Sequence, residues 1–164
     1  MKQTATVVKA RSARKPQVPR EFGFRQILAP TDFSENSAIA VGYAVELARR
    51  LGAKVILLHI IPEPSALDYT MGGLPPGEWE QAQEEARKKL DQEWARARAT
   101  YERVDSLLRT GLGLHEQIVG AVRETSADLI VISTHGYTGW KHFLFGSDAE
   151  RLLHEIACPI VVGR

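Results

Sequence analysis

The sequence predicts one α/β domain built on a doubly wound, five-stranded parallel sheet. Three observations carry this. Short apolar runs alternate along the chain with stretches of helical periodicity, in the order β-α-β-α-β-α-β-α-β. Two of those runs, Val55 to Ile61 and Leu129 to Ile132, are apolar on both faces, as in strands covered by helices on both sides. The chain has 164 residues and is 44% hydrophobic, enough for one buried core.

The first strand is read at Gln26 to Pro30, "QILAP". Ala38, Val41, Val45 and Ala48 then mark one face of a helix that Gly52 can end. Val55 to Ile61 is the second strand, followed by the turn-rich connection "PEPSALDYTMGGLPP". From Glu78 to Arg103, Trp79, Ala82, Ala86, Leu90, Trp94, Ala97, Tyr101 and Val104 recur every three or four residues. That stripe is expected to pack on the sheet, and the charges between its members to fill solvated faces. Val104 to Arg109 is the third strand, Leu114 to Thr125 a third helix, and Leu129 to Ser133 the fourth strand. A fourth helix is expected over Asp148 to Ile156, with Leu152, Leu153 and Ile156 inward, before a last strand at Pro159 to Val162.

Charge is spread unevenly. Residues 1–20 hold six Lys/Arg and no acid, so the other 15 of the 21 basic residues stand against all 20 acidic ones. The expectation is a basic, flexible N-terminal tail (1–20) on a mildly acidic domain (21–164). Such a body argues against a domain-scale nucleic-acid surface. No apolar run approaches the ~18 residues of a membrane span, so no membrane partner is expected. The single cysteine, Cys158, permits no internal disulfide and lies among apolar residues. A reducing, cytoplasmic setting follows as the expectation.

Motifs for catalysis are missing. There is no G-x-x-x-x-G-K-[ST] phosphate loop and no G-x-S-x-G elbow, and "GLGLHE" lacks the third glycine of a dinucleotide fingerprint. The five histidines are scattered, without metal-ligand spacing. The chain is therefore read as a binding protein rather than an enzyme, with no metal site of its own.

In an open parallel sheet, ligands bind beyond the carboxyl ends of the strands, where the winding reverses. The segments there are "PTDFSENS", "HIIPE" and "HGYTGWKHFLFGS". Asp32 has two readings: the start of a capping box with Glu35, or a carboxylate that accepts hydrogen bonds from a ligand. Ser34 is an equal candidate for the cap. Ser147 likewise fits a capping box with Glu150, while Gly146 before it would let a helix N-terminus approach a phosphate.

Together "ILAPTDFSENS", "KVILLHIIPE" and "ADLIVISTHGYTGWKHFLFGSDAERLLHEIACPIVV" resemble the universal stress protein family over about Phe24 to Gly163. The most specific element is Gly136, nine residues, then Gly146-Ser147. The resemblance implies strand order 3-2-1-4-5 and ATP or a related adenine nucleotide, with magnesium a candidate companion, at the junction of strands one and four. It implies that Pro30, Thr31 and Asp32 line the ribose and adenine side, and that Ile60 and Ile132 flank the base. Gly136, Gly146 and Ser147 would wrap the phosphates. It also implies a homodimer through the last strand.

Two positions depart from the nucleotide-binding pattern. Ser133 stands where a further glycine occurs, and Asp148 follows Ser147 where an uncharged residue is common. The resemblance thus implies a nucleotide-binding stress-response protein, the alternative being a dimeric interaction protein that binds no nucleotide.

Overall fold

The computed structural model describes residues 23–64, 77–133 and 155–163. The tail expected at 1–20 and most of the fourth helix lie outside the described residues. The elements are β1 (Gln26–Pro30), α1 (Glu35–Leu51), β2 (Lys54–Pro62), α2 (Glu78–Thr100), β3 (Val104–Gly111), α3 (Leu114–Thr125), β4 (Leu129–Ser133) and β5 (Ile160–Gly163). All strand pairs are parallel and the order is β3-β2-β1-β4-β5, as the resemblance implied.

Alternate strand residues feed two cores. Ile27, Ala29, Val55, Leu57, Leu129 and Val131 pack beneath α1 and α2. Their neighbours Leu28, Ile56, Leu58, Ile60, Ile130 and Ile132 pack with Ile118, Val119 and Ala121 of α3 on the opposite face. Both faces are covered, which is why these strands read as continuous apolar runs. Each fully buried Leu or Ile contributes about 1.5–3 kcal/mol relative to exposure. The amino ends of β1 and β4 are tied by Asp128, whose carboxylate accepts the Arg25 N–H at 2.8 Å and the Gln26 N–H at 3.0 Å.

α1 ends at Gly52, whose φ of 67° is the left-handed conformation that glycine adopts without a Cβ penalty. Its buried face keeps three of the four expected residues and departs at one. Ser37, Ala40, Val41, Ala44, Val45 and Ala48 are buried, whereas Ala38 is exposed. The polar Ser37 takes an interior place because its hydroxyl donates to the Ser34 carbonyl at 2.9 Å. α2 stops at Thr100, three residues before the expected Arg103. Tyr101 is extended (φ −148°, ψ 122°), and its hydroxyl donates to the Ala53 carbonyl at 2.6 Å, drawing the chain off the helix axis into β3. The sheet contact of α2 begins at Ala86, so Ala82 is exposed while Ala86, Leu90 and Ala97 are buried. Trp94 packs on that core and donates its indole N–H to the Val104 carbonyl at 2.9 Å.

Cys158 packs against the α3-side core, and burial pushes its thiol above the ordinary range, which makes it a poor thiolate. Among the described residues no helix is long and apolar enough to cross a membrane.

Candidate nucleotide site

The sheet order reverses between β1 and β4, so the carboxyl ends of these strands border the crevice that such folds use. β1 delivers Pro30 there, in register with Leu58 of β2. Thr31 extends the pairing by one step through its N–H to the Leu58 carbonyl at 2.8 Å. α1 then starts almost at once, so the turn Thr31–Ser34 is short and heavily hydrogen-bonded.

Ser34 is the N-cap of α1, and its hydroxyl oxygen accepts the Ser37 N–H at 3.2 Å. Asp32 is thereby released from the capping role left open by the sequence. Its Oδ1 accepts the Ser34 N–H at 3.1 Å, a local turn one step upstream of the cap. The residue between them, Phe33, has φ 62°, a left-handed conformation rarely adopted by residues other than glycine. Its ring centroid lies 4.1 Å from that of His59 on β2. Asp32, Phe33, Ser34, Glu35, Asn36 and Lys89 line a recess of ≈ 510 Å³.

Thr31 lies beneath this turn and is 1% exposed. Its hydroxyl donates to Glu93 Oε2 of α2 at 2.8 Å and accepts the Phe33 N–H at 3.1 Å. Its carbonyl accepts from His59 Nδ1 at 2.8 Å. Burial lowers the pKa of His59 below the ordinary imidazole range, so the ring is neutral at pH 7 and its remaining proton sits on Nδ1. Burial also raises the pKa of Glu93, against the opposing effect of the Thr31 hydroxyl.

The expected site residues divide by face. Ile60 and Ile132 belong to the α3-side core at 7% and 3% exposure, and strand alternation sets Pro30 on that side with Leu28. Ser133 is turned the other way. It pairs with Gly163, where an added Cβ would meet the Tyr43 ring of α1 at 3.3 Å, and paired residues of a parallel sheet share a face. Gly136, Gly146, Ser147 and Asp148 lie outside the described residues. Among the described residues no cluster of three or more metal-ligating side chains occurs.

Lys89, Glu93 and His59 were missed as parts of this neighbourhood. Lys89 and Glu93 lie one turn apart in the charged run "EEARKKLDQEW", where single-sequence periodicity gives no reason to prefer one charge over another. His59 stood in a strand-end segment, but nothing in the sequence showed its pairing with Thr31.

Comparison with known proteins agrees with this geometry. The profile of the Universal stress protein family matches residues 23–164. Universal stress protein MJ0531 of Methanocaldococcus jannaschii is 30% identical over 150 residues, covering 85% of this chain and 81% of the relative. Among solved structures, that of MJ0577 superposes with a TM-score of 0.67 at 28% identity, over 84% of this chain and 94% of its own. Two more distant neighbours share the fold. One is a universal stress protein in complex with cAMP (TM-score 0.62, 19% identity, 87% of this chain and 98% of its own). The other is from Archaeoglobus fulgidus in complex with dAMP (TM-score 0.56, 20% identity, 84% and 96%). A parallel sheet of this order and a family match over nearly the whole described length lead to one conclusion: the chain belongs to the universal stress protein family.

Proposed function

We propose that this universal stress protein binds ATP or a related adenine nucleotide beyond the carboxyl ends of β1 and β4, and acts by occupancy rather than by turnover. The observation that carries the reading is the Asp32 turn. A partly exposed carboxylate is presented at the sheet switch point, clear of the helix-capping role, beside a recess with Lys89 on its wall. A carboxylate there is suited to accept hydrogen bonds from ribose hydroxyls. Gly136, Gly146 and Ser147 complete the reading as the phosphate-side backbone, with magnesium as the companion ion of ATP. Pro30, Ile60 and Ile132 supply the apolar side against the base. The structures of fold neighbours with cAMP and dAMP are in keeping with an adenine ligand.

The alternative, a dimeric interaction protein that binds no nucleotide, rests on Ser133 and on Asp148, the latter outside the described residues. Ser133 is set opposite Gly163 on the α1 side, so its Cβ is directed away from Ile60 and Ile132, the residues assigned to the base. The same reading includes a cytoplasmic homodimer paired along β5, an edge strand whose Val161 and Val162 are 40% and 49% exposed.

Isothermal titration with ATP and magnesium, AMP and cAMP tests the nucleotide reading. Binding of at least one of them, weakened by Asp32→Ala, is expected. No heat or chemical-shift change with any of them at millimolar concentration would overturn it.

A further inference from the structure

Glu93 belongs to none of the strand-end segments, yet its carboxylate reaches the candidate site from the middle of α2. Thr31, its partner, has no polar group to offer a ligand. Its N–H is bound to the Leu58 carbonyl at 2.8 Å and its carbonyl to His59 Nδ1 at 2.8 Å. Its hydroxyl is shared between Glu93 and the Phe33 N–H. Asp32 is therefore flanked by two residues whose conformations depend on one buried oxygen. Phe33 in particular holds φ 62° with its N–H bonded to that oxygen.

The direction of the Thr31 proton decides what the oxygen can do. With the proton directed to Glu93 Oε2, a lone pair of Oγ1 accepts the Phe33 N–H. Without the carboxylate, the hydroxyl turns toward its other neighbour, Ser37 Oγ at 3.2 Å, and the lone pair swings off Phe33. A left-handed residue that loses its hydrogen bond is held there less firmly, by the packing of its ring alone.

We infer that Glu93 is the positioning residue of this site: through Thr31 it holds the turn that presents Asp32, and so couples the seating of α2 to nucleotide occupancy. The inference rests on the nucleotide reading above. Because such coupling is reciprocal, a nucleotide that orders the turn also tightens α2 at Glu93.

The test uses the full chain as wild type, Glu93→Gln, Glu93→Ala and Trp94→Phe, with ATP and magnesium as the probe. Affinity is read by calorimetry and local order by hydrogen exchange. Glu93→Gln keeps an acceptor oxygen and is expected to bind within about threefold of wild type. Glu93→Ala is expected to weaken binding roughly tenfold, the scale of a lost hydrogen bond to a charged acceptor. It should also abolish the slowing of exchange in α2 that nucleotide causes in wild type. Trp94→Phe removes the indole bond to Val104 and leaves the Glu93–Thr31 bond in place, so it should lower Tm and leave affinity unchanged. Equal affinities for wild type, Gln and Ala overturn the inference while leaving the nucleotide reading intact. If wild type binds no nucleotide, the nucleotide reading fails and the free protein decides the hold on the turn. Faster exchange at residues 32–34 in Glu93→Ala but not in Glu93→Gln upholds it, and unchanged exchange overturns it.

Discussion

The ring of Phe33 rests against the ring of His59 with centroids 4.1 Å apart and planes inclined by 31°, and this contact accompanies a left-handed backbone at Phe33. The side chain gains a packing partner where the backbone is disfavoured, by roughly 1–2 kcal/mol. Phe33→Ala discards the contact and keeps the disfavoured φ, whereas Phe33→Gly discards both. The usual ranking of the two substitutions should therefore invert, with the Gly variant at least ~0.5 kcal/mol more stable than the Ala variant. Urea denaturation of the two proteins measures the difference, and an Ala variant of equal or greater stability would show that the backbone term is unimportant here.

Burial raises the pKa of Glu93 in the folded chain. The fold therefore binds the carboxyl proton more tightly than the unfolded chain does, and this stabilisation is present below the ordinary value near ~4.3 and is lost as pH rises through the folded value. Glu93→Gln mimics the protonated form. Its Tm should exceed that of wild type at pH 8, by a margin that shrinks as the pH falls toward 4. A margin that grows on acidification would contradict this sign.

His59 shifts the other way. Its folded pKa lies below the ordinary imidazole value of about 6.5, chiefly through burial. The unfolded chain takes up the proton first, so this contribution to stability is lost as pH falls through that value toward the folded one. Nitrogen-15 NMR of the imidazole should find the Nδ1–H tautomer at pH 7.5, bound to the Thr31 carbonyl, and a midpoint below ~6.5. A midpoint above it, or the Nε2–H tautomer, would refute the assignment.

The proposed pairing along β5 would place Val161 and Val162 at a boundary between two copies, where two added carboxylates would be desolvated and would repel their counterparts. For a chain of 18.2 kDa, light scattering of wild type at micromolar concentration should give twice that mass. The double variant Val161→Asp/Val162→Asp should give the single mass. A monomeric wild type would dispose of the dimer.

The architecture was legible because it depends on coarse signals. Strands apolar on both faces, such as Val55 to Ile61, leave few options other than a sheet covered on both sides. Element ends were less legible where one side chain decides them. Tyr101 fits the helical stripe of α2 by spacing, yet its hydroxyl bond to Ala53 takes it out of the helix. Ser37 looks like a surface residue until Ser34 satisfies it, and Ala38 takes the exposed place instead. At the candidate site, Asp32 was legible from its place after a strand. Glu93 was not, because a contact between residues 62 positions apart leaves no local pattern. The expected phosphate-side residues Gly136, Gly146, Ser147 and Asp148 lie outside the described residues and stand as proposals.

The division of strand-end residues between faces bears on how this protein can change. Pro30 and Thr31, His59 and Ile60, and Ile132 and Ser133 are three neighbouring pairs, and each straddles the plane of the sheet. Substitutions at such positions can be tuned one side at a time. An insertion or deletion of a single residue in β1 cannot, because it would exchange the two members of its pair, setting the proline ring against α2 and the Thr31 hydroxyl among the aliphatic side chains over α3. The carboxyl ends of these strands should therefore tolerate a change of length far less than a change of residue type confined to one face.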